Sequence, residues 1–295
     1  MSRLLTDAQL AQYQEQGFAV VPGLLPAADL ARWCARLADI VEGRVPPSEG
    51  MLVMKDVMVA KGAVTPGAPL EAVAKLQDYE QDEVLDRYTV HPRILANVER
   101  LLGPDVMTLH TMLINKPPHV DGRHPLHQDL LYFPFRPASK IVASWTALEP
   151  VTKENGCLVV VPGTHKGQLL PHGNPDFEYL NGGYFGAKDI DTAKAERIHL
   201  EMAPGDTVFF HPILLHGSGR NRTEGFRRAI SAHYASTACT WDWTTPRFSG
   251  RHYRIVSGTH KGEHWNGERN PDPSVNPLDY IQAPDPRKGS AGERG

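Results

Sequence analysis

An oxygen-activating Fe(II) centre needs two imidazoles and one carboxylate on one face, with the opposite face left to a cosubstrate and O2. This sequence supplies candidates for each ligand. His127-Gln128-Asp129 is an H-x-D pair at the head of an apolar and aromatic run, Leu130-Leu131-Tyr132-Phe133. If that run is a strand, residues i and i+2 point the same way, so both side chains reach one ion. A second H-x-D, His119-Val120-Asp121, sits in the turn-rich stretch Lys116-Pro117-Pro118-His119-Val120-Asp121-Gly122, which offers no pleated pair, and the first is preferred. With 14 histidines a chance H-x-D is expected, so the pair gains weight only from a distal partner. Residues 206–219 hold two candidates for it. His211 precedes a proline and reads as an ordinary core or surface histidine. His216 opens Gly217-Ser218-Gly219, where backbone can approach a ligand closely. A keto-acid cosubstrate also needs a cation for its far carboxylate, and the planar fork of arginine suits that role. Arg227 and Arg228 both stand at the start of a strand-like run, and a hairpin through residues 217–219 would return them toward the iron. They face opposite sides of the strand, and pattern alone leaves the choice between them open.

The elements that must position these residues read as a helical front end and a β core. Thr6-Asp7-Ala8-Gln9 is a capping box opening a short helix that Gly17 stops, followed by a strand, Phe18 to Val21. A second helix is predicted from about Ala27 to Glu42, with Leu30, Trp33, Leu37, Ile40 and Val41 on one face. Residues 45–69 are rich in Gly and Pro apart from a strand-like Leu52 to Val59, and one or two helices broken at Pro92 are expected over about 83–102. After Gly103 the pattern changes to short β runs: Val106–Ile114, His127–Phe133, Ile141–Leu148, Gly156–Val161, Ile198–Met202, Asp206–Phe210 and Arg227–Ala235. Turn signals such as Asn155-Gly156 and Pro162-Gly163 separate them, which predicts a sandwich or barrel. Residues 271–295, rich in Pro and charge, read as an extended or mobile tail.

Composition narrows the function classes. The 295 residues carry 31 Lys and Arg against 34 Asp and Glu, a formal net charge of -3 with both signs dispersed, and this argues against a nucleic-acid or membrane surface. Apolar content is 41%, and no apolar run is long enough to span a bilayer. Cys34, Cys157 and Cys239 are odd in number and widely spaced, so a reducing, cytoplasmic compartment is expected. Neither a secretory signal near Met1 nor a Ser-Lys-Leu peroxisomal address at Gly295 is read.

At the ligand motifs the chain resembles the phytanoyl-CoA dioxygenase family. The stretches that carry the likeness are residues 112–118, His124-Pro125-Leu126-His127-Gln128-Asp129-Leu130, residues 132–137, 155–160 and 162–167, and Gly205 through Ser231. It covers about Leu5 to Ser236. The resemblance implies a single domain, mainly β with helices on one side, whose core is a double-stranded β-helix of the jelly-roll, cupin-like kind. It implies Fe(II) on His127, Asp129 and His216, and 2-oxoglutarate and O2 as cosubstrates. It selects Arg227 over Arg228 for the far carboxylate of 2-oxoglutarate, and it puts Lys75, Met112, Gln128, Trp145 and Ser218 around that cosubstrate. From the residues alone, Lys75 reads as a solvated helix lysine. Halogenases that resemble the family lack the carboxylate, so Asp129 implies hydroxylation, with an aliphatic carbon of a branched fatty acyl-CoA as the expected target. Hydroxylation of another small molecule and a binding protein without catalysis are the alternatives. The likeness fades after Thr237, and the loop before His124 is shorter than the family pattern.

Overall fold

Alternation along Arg227–Ser236 decides the architecture. Ala229, Ser231 and His233 point one way and Ile230, Ala232 and Tyr234 the other, and both sets are buried. A strand buried on both faces lies between two layers. The computed structural model describes residues 3–118, 122–174, 185–188, 195–242 and 253–265. Its helices are α1 (Asp7–Gln16), α2 (Ala27–Val41), α3 (Val57–Ala60) and α4 (Pro92–Leu102). Its strands are β1 (Phe18–Val21), β2 (Leu52–Lys55), β3 (Val73–Gln77), β4 (Val106–Lys116), β5 (His124–His127), β6 (Phe135–Arg136), β7 (Ile141–Ala147) and β8 (Leu158–Val160), then β9 (His172–Gly173), β10 (Gly186–Ala187), β11 (Ile198–Leu200), β12 (Thr207–Phe210), β13 (His216–Ser218), β14 (Arg227–Ser236) and β15 (Thr240–Trp241).

A seven-stranded sheet in the order β1-β12-β7-β14-β4-β3-β2 forms the middle layer. Its outer face meets the helices: Leu30, Trp33, Leu37 and Ile40 of α2 share one apolar cluster with Leu76, Leu113, Phe209 and Ile230. Its inner face meets a four-stranded sheet, β11-β8-β13-β5, through Leu158, Val160 and Leu200 against Trp145, Val208, Phe210 and Ala229. All named pairings are antiparallel. The fold is the mainly β jelly-roll that the resemblance implied, with helices on one side. Burying such apolar surface contributes about 25 cal/mol per Å2, so the outer cluster holds the helices while the inner one holds the two sheets together.

Several local expectations are corrected. The capping box of α1 forms, with Thr6 and Gln9 bonded reciprocally and Gly17 left-handed at φ 87°. The strand expected to Val59 stops at Lys55, because the Asp56 side chain accepts the Met58 N–H and starts the short α3. Only α4 is helical in the region 83–102. Pro92 stands at its start, and residues 80–90 are turns anchored by Asp82, whose Oδ1 accepts from the Val84 and Leu85 amides. Lys75 lies on β3 rather than on a helix, and it is buried. The strand predicted over His127–Phe133 ends at His127, and Asp129–Tyr132 is a 3-10 turn. Beyond Thr237 the chain still joins the fold. Ile255 bridges Met107, the Val256 amide donates to Val106, and Tyr253 and Trp265 pack edge-on against Phe135. Residues 271–295, read as a tail, lie outside the described residues.

Candidate active site

β5 and β13 are register neighbours, with His216 opposite His127, and the two rings stand 4.3 Å apart between centroids. Their backbones approach so closely that a Cβ on Gly217 would lie 2.7 Å from the His124 carbonyl oxygen. Each imidazole is oriented from behind. His127 Nδ1 donates to the Pro125 carbonyl at 2.9 Å and His216 Nδ1 to the Leu214 carbonyl at 3.0 Å. With the proton on Nδ1, a neutral ring offers the lone pair of Nε2, the arrangement a metal ligand requires. Both Nε2 atoms face Asp129 Oδ1, at 3.3 and 3.6 Å. The ligand atoms of His127, Asp129 and His216 all lie within 4.8 Å of one another, and among the described residues they form a group able to hold a metal ion.

Charge states suit that role. Burial pushes the His216 imidazole down to about 4, so it is neutral at pH 7 and its contact with Asp129 is not an ion pair. Burial opposes ionisation of Asp129, but the surrounding His216, His233 and His127 outweigh it and hold the carboxyl well below its ordinary range. Burial also acts to lower His127, but the hydrogen bond and charge of Asp129 prevail and raise it, and a bound cation would displace that proton. Two neutral imidazole nitrogens and one carboxylate oxygen are the donor set an Fe(II) oxygenase uses. Gln128, between the ligands, points elsewhere. Its Nε2 donates to the Gln168 and Ile213 carbonyls and its Oε1 accepts from the Leu170 amide, so both ends of the amide are occupied by backbone. The side chain thereby braces the turn that carries Asp129.

A second cluster lies at the Arg227 end of the inner face. Arg227 is 2% exposed, yet among the described residues its Nε and Nη1 find no hydrogen-bond partner. Its guanidinium carbon stands 5.7 Å from the Trp145 ring centre, and the buried Trp145 Nε1 also lacks a partner. Burial pushes Arg227 down to about 10, which leaves it cationic at neutral pH. Ser218 Oγ accepts from Lys116 Nζ at 2.9 Å and lies 3.4 Å from His124 Nδ1. Lys75 Nζ is 3.8 Å from Met112 Sδ on the neighbouring strand. Burial first, and then the nearby Lys116, His127, Lys75 and Arg227, hold His124 well below the ordinary imidazole value. Buried donors without acceptors are costly, and an anion such as a carboxylate would satisfy both Arg227 and Trp145.

Register separates the paired alternatives. Arg228 turns to the outer side, where it bonds Glu149 at 3.0 Å and Asn115 at 3.1 Å and stacks on Phe226. The connection from His216 to Arg227 is not a hairpin, because β13 belongs to the small sheet and β14 to the large one. His211 packs against His165 and accepts the Ile213 amide, away from Asp129. His119-Val120-Asp121 lies outside the described residues. Two buried residues went unread in the sequence. Lys116 is the register partner of Arg227, and His233 donates to Asp129 Oδ2 at 2.8 Å. The signal for His233 was present, since it follows Arg227 by an even number of residues on one strand.

With this geometry established, similarity to known proteins becomes informative. The family model for phytanoyl-CoA dioxygenase (PhyH) matches residues 13–229. The chain belongs to the phytanoyl-CoA dioxygenase family. It is 50% identical over 240 residues to the probable phytanoyl-CoA dioxygenase of Caenorhabditis elegans, covering 79% of this chain and 76% of that protein. It is 47% identical over 262 residues to the peroxisomal phytanoyl-CoA dioxygenase of Homo sapiens, covering 88% and 73%. Among solved structures, the apo form of EctD from S. alaskensis superposes with TM-score 0.65 at 17% identity, covering 88% of this chain and 87% of that one. The epimerase SnoN, in complex with Fe3+, alpha ketoglutarate and nogalamycin RO, gives 0.64 at 21% identity, covering 89% and 96%. These two confirm the fold. Family membership makes the chain a dioxygenase, and the His-Asp-His group fits the iron that such an enzyme uses with 2-oxoglutarate and O2. No helix among the described residues is long and apolar enough to cross a membrane.

Proposed function

We propose that this dioxygenase hydroxylates an aliphatic carbon of an acyl-CoA, the 2-position of a branched fatty acyl chain such as phytanoyl-CoA, with iron on His127, Asp129 and His216. One observation supports the cosubstrate assignment above others: a fully buried arginine with two donors that have no acceptor. When bound, Fe(II) with 2-oxoglutarate and O2 supplies the oxidising power for hydroxylation, and the cosubstrate leaves as succinate and CO2. The chain's own residues bind and orient. His127 and His216 present Nε2, held by their carbonyl partners, and Asp129 presents Oδ1. Arg227 takes the far carboxylate of the cosubstrate through its free edge, with Trp145 Nε1 as a further donor and Ser218 beside it. Lys75 and Met112 close the β3 side. Phe210, which packs on His216, and Phe133 help keep water from the centre.

The substrate assignment rests on the relatives' names, and one observation favours an alternative, the same chemistry on another small molecule. Arg136 and Lys166, which stand in the family-like stretches 132–137 and 162–167 and could meet CoA phosphates at a pocket mouth, are each paired with an acid: Arg136 with Asp242 at 3.0 Å and Lys166 with Glu15 at 2.6 Å. A panel of branched acyl-CoA thioesters, the matching free acids and unrelated carboxylic acids decides between them. Release of succinate from 2-oxoglutarate should rise with the thioester and not with the free acid. Stimulation by the free acid alone would overturn the thioester and leave the iron chemistry standing. The three cysteines are free, which fits a cytoplasmic or a peroxisomal location alike, and the human relative is named as peroxisomal. Imaging the tagged full chain separates the two.

A further inference from the structure

We propose that His233 is the positioning residue that fixes how Asp129 meets the metal, holding Oδ2 so that Oδ1 alone is turned to the ion. The inference rests on the iron reading above. The two carboxylate oxygens have different surroundings. Oδ1 faces the Nε2 atoms of His127 and His216, and Oδ2 is 2.8 Å from His233 Nε2. An ionised carboxylate only accepts, so His233 Nε2 carries the proton and donates it. His233 comes from the opposite sheet to its partner, on β14, with His110 and Ala143 as register neighbours.

The ring is fixed from several sides. His110 stacks on it at 5.7 Å and 26°, Phe133 lies 5.0 Å away, and Phe210 approaches edge-on at 6.4 Å. Among the described residues its Nδ1 finds no hydrogen-bond partner and Asp129 is the one partner of its Nε2, in a ring that is 3% exposed. A buried imidazole with one anchor in a packed slot has little freedom, and it passes that restriction to the carboxylate. Asp129 itself sits on a 3-10 turn and not on a strand, so its own backbone supplies less orientation than a β ladder would. With Oδ2 engaged, Asp129 is held to one ligating oxygen, and the positions opposite the triad stay open for 2-oxoglutarate and O2.

Metal titration of the apoprotein tests this directly, with Fe(II) under anaerobic conditions and with Co(II) read by its ligand-field spectrum. H233F keeps a ring in the slot and removes the donor. Its metal affinity should fall by about 10–100-fold, the usual effect of losing such a partner, and its Co(II) spectrum should change. H233Q, whose amide N–H can reach Oδ2, should recover most of the affinity and the parent spectrum. A role in packing alone would shift the unfolding midpoint and leave affinity and spectrum unchanged, and that result in H233F overturns the proposal. If H233F does not fold, a folded H233Q that has lost metal affinity overturns it instead. Wild-type protein that binds neither metal would defeat the iron reading itself, an outcome distinct from both.

Discussion

At the His127 end of the inner face, Asp129 and the two imidazoles that confront it are already held by hydrogen bonds. At the Arg227 end, the guanidinium Nε and Nη1 and the Trp145 indole N–H are buried and have no acceptor. The difference separates two kinds of preorganisation. The first end is complete as a ligand set and lacks only a cation that replaces a proton. The second is left electrostatically incomplete, and an incoming dianion becomes part of its hydrogen bonding. A site of the first kind tolerates little change in its frame, whereas a site of the second kind binds in proportion to the donors it keeps.

The largest expected effect comes from removing a ligand. Asp129→Ala should abolish succinate release while circular dichroism shows the fold retained, because the residue sits on a turn beyond β5, and the unfolding midpoint should fall modestly as buried His233 loses its acceptor. Full turnover by that variant would break the contrast at its first end. Next comes Arg227→Ala. Losing the charged partner of a buried carboxylate typically costs about 2–5 kcal/mol, which raises the 2-oxoglutarate requirement roughly tenfold or more. Arg228→Ala, on the outer side against Glu149, should leave the requirement nearly unchanged. The reverse behaviour of the two would contradict the β14 register, which turns Arg227 inward and Arg228 outward.

A smaller effect is expected from Lys116→Met. Its ammonium donates to Ser218 Oγ and Gly219 O and thereby steers the hydroxyl hydrogen away from Lys116. The KM for 2-oxoglutarate should rise several-fold, within the ~1–3 kcal/mol range of a disturbed buried hydrogen bond, with iron affinity unaltered. An equal loss of iron affinity would mean that the two ends are not separate. The smallest effect concerns pH. His216 and His211 are both lowered to about 4 by burial, so the folded apoprotein keeps them neutral where the unfolded chain, near 6.5, takes up protons. Their stabilisation is therefore present above about pH 6.5 and is lost as pH falls toward 4. His211→Gln should flatten the decline of the unfolding midpoint across that window, and an unchanged slope would remove His211 from the account.

How far this was legible beforehand depended on the range of each interaction. Local signals carried well. The Thr6 box, the α2 stripe and the strands β4, β7, β12 and β14 fall close to where their own residues put them. The His127 and Asp129 pair was reached through an assumed pleat, whereas the side chains converge because a strand gives way to a 3-10 turn braced by Gln128. Lys75 could not be read from its neighbours, since its burial is imposed by β4 pairing from a distant part of the chain. His233 and Lys116 were concealed differently. His233 lies in an anticipated strand, on the face that its even spacing from Arg227 assigns, whereas Lys116 lies two residues beyond the strand expected to end at Ile114, in a stretch that reads as turn-rich, and its meeting with Ser218 comes only from the pairing of distant strands.

The segment from Tyr253 to Trp265 has a bearing on how such an enzyme diversifies. It lies beyond residue 229, where the family match ends, yet its rings wall in Phe135. Phe135 shares an apolar cluster with Phe133, which packs on His233 behind Asp129. Divergence in this late stretch of the gene therefore reshapes the aromatic wall near the reaction centre without exchanging a ligand or a cosubstrate donor. Selection can vary what the oxidant meets while the oxidant itself is conserved.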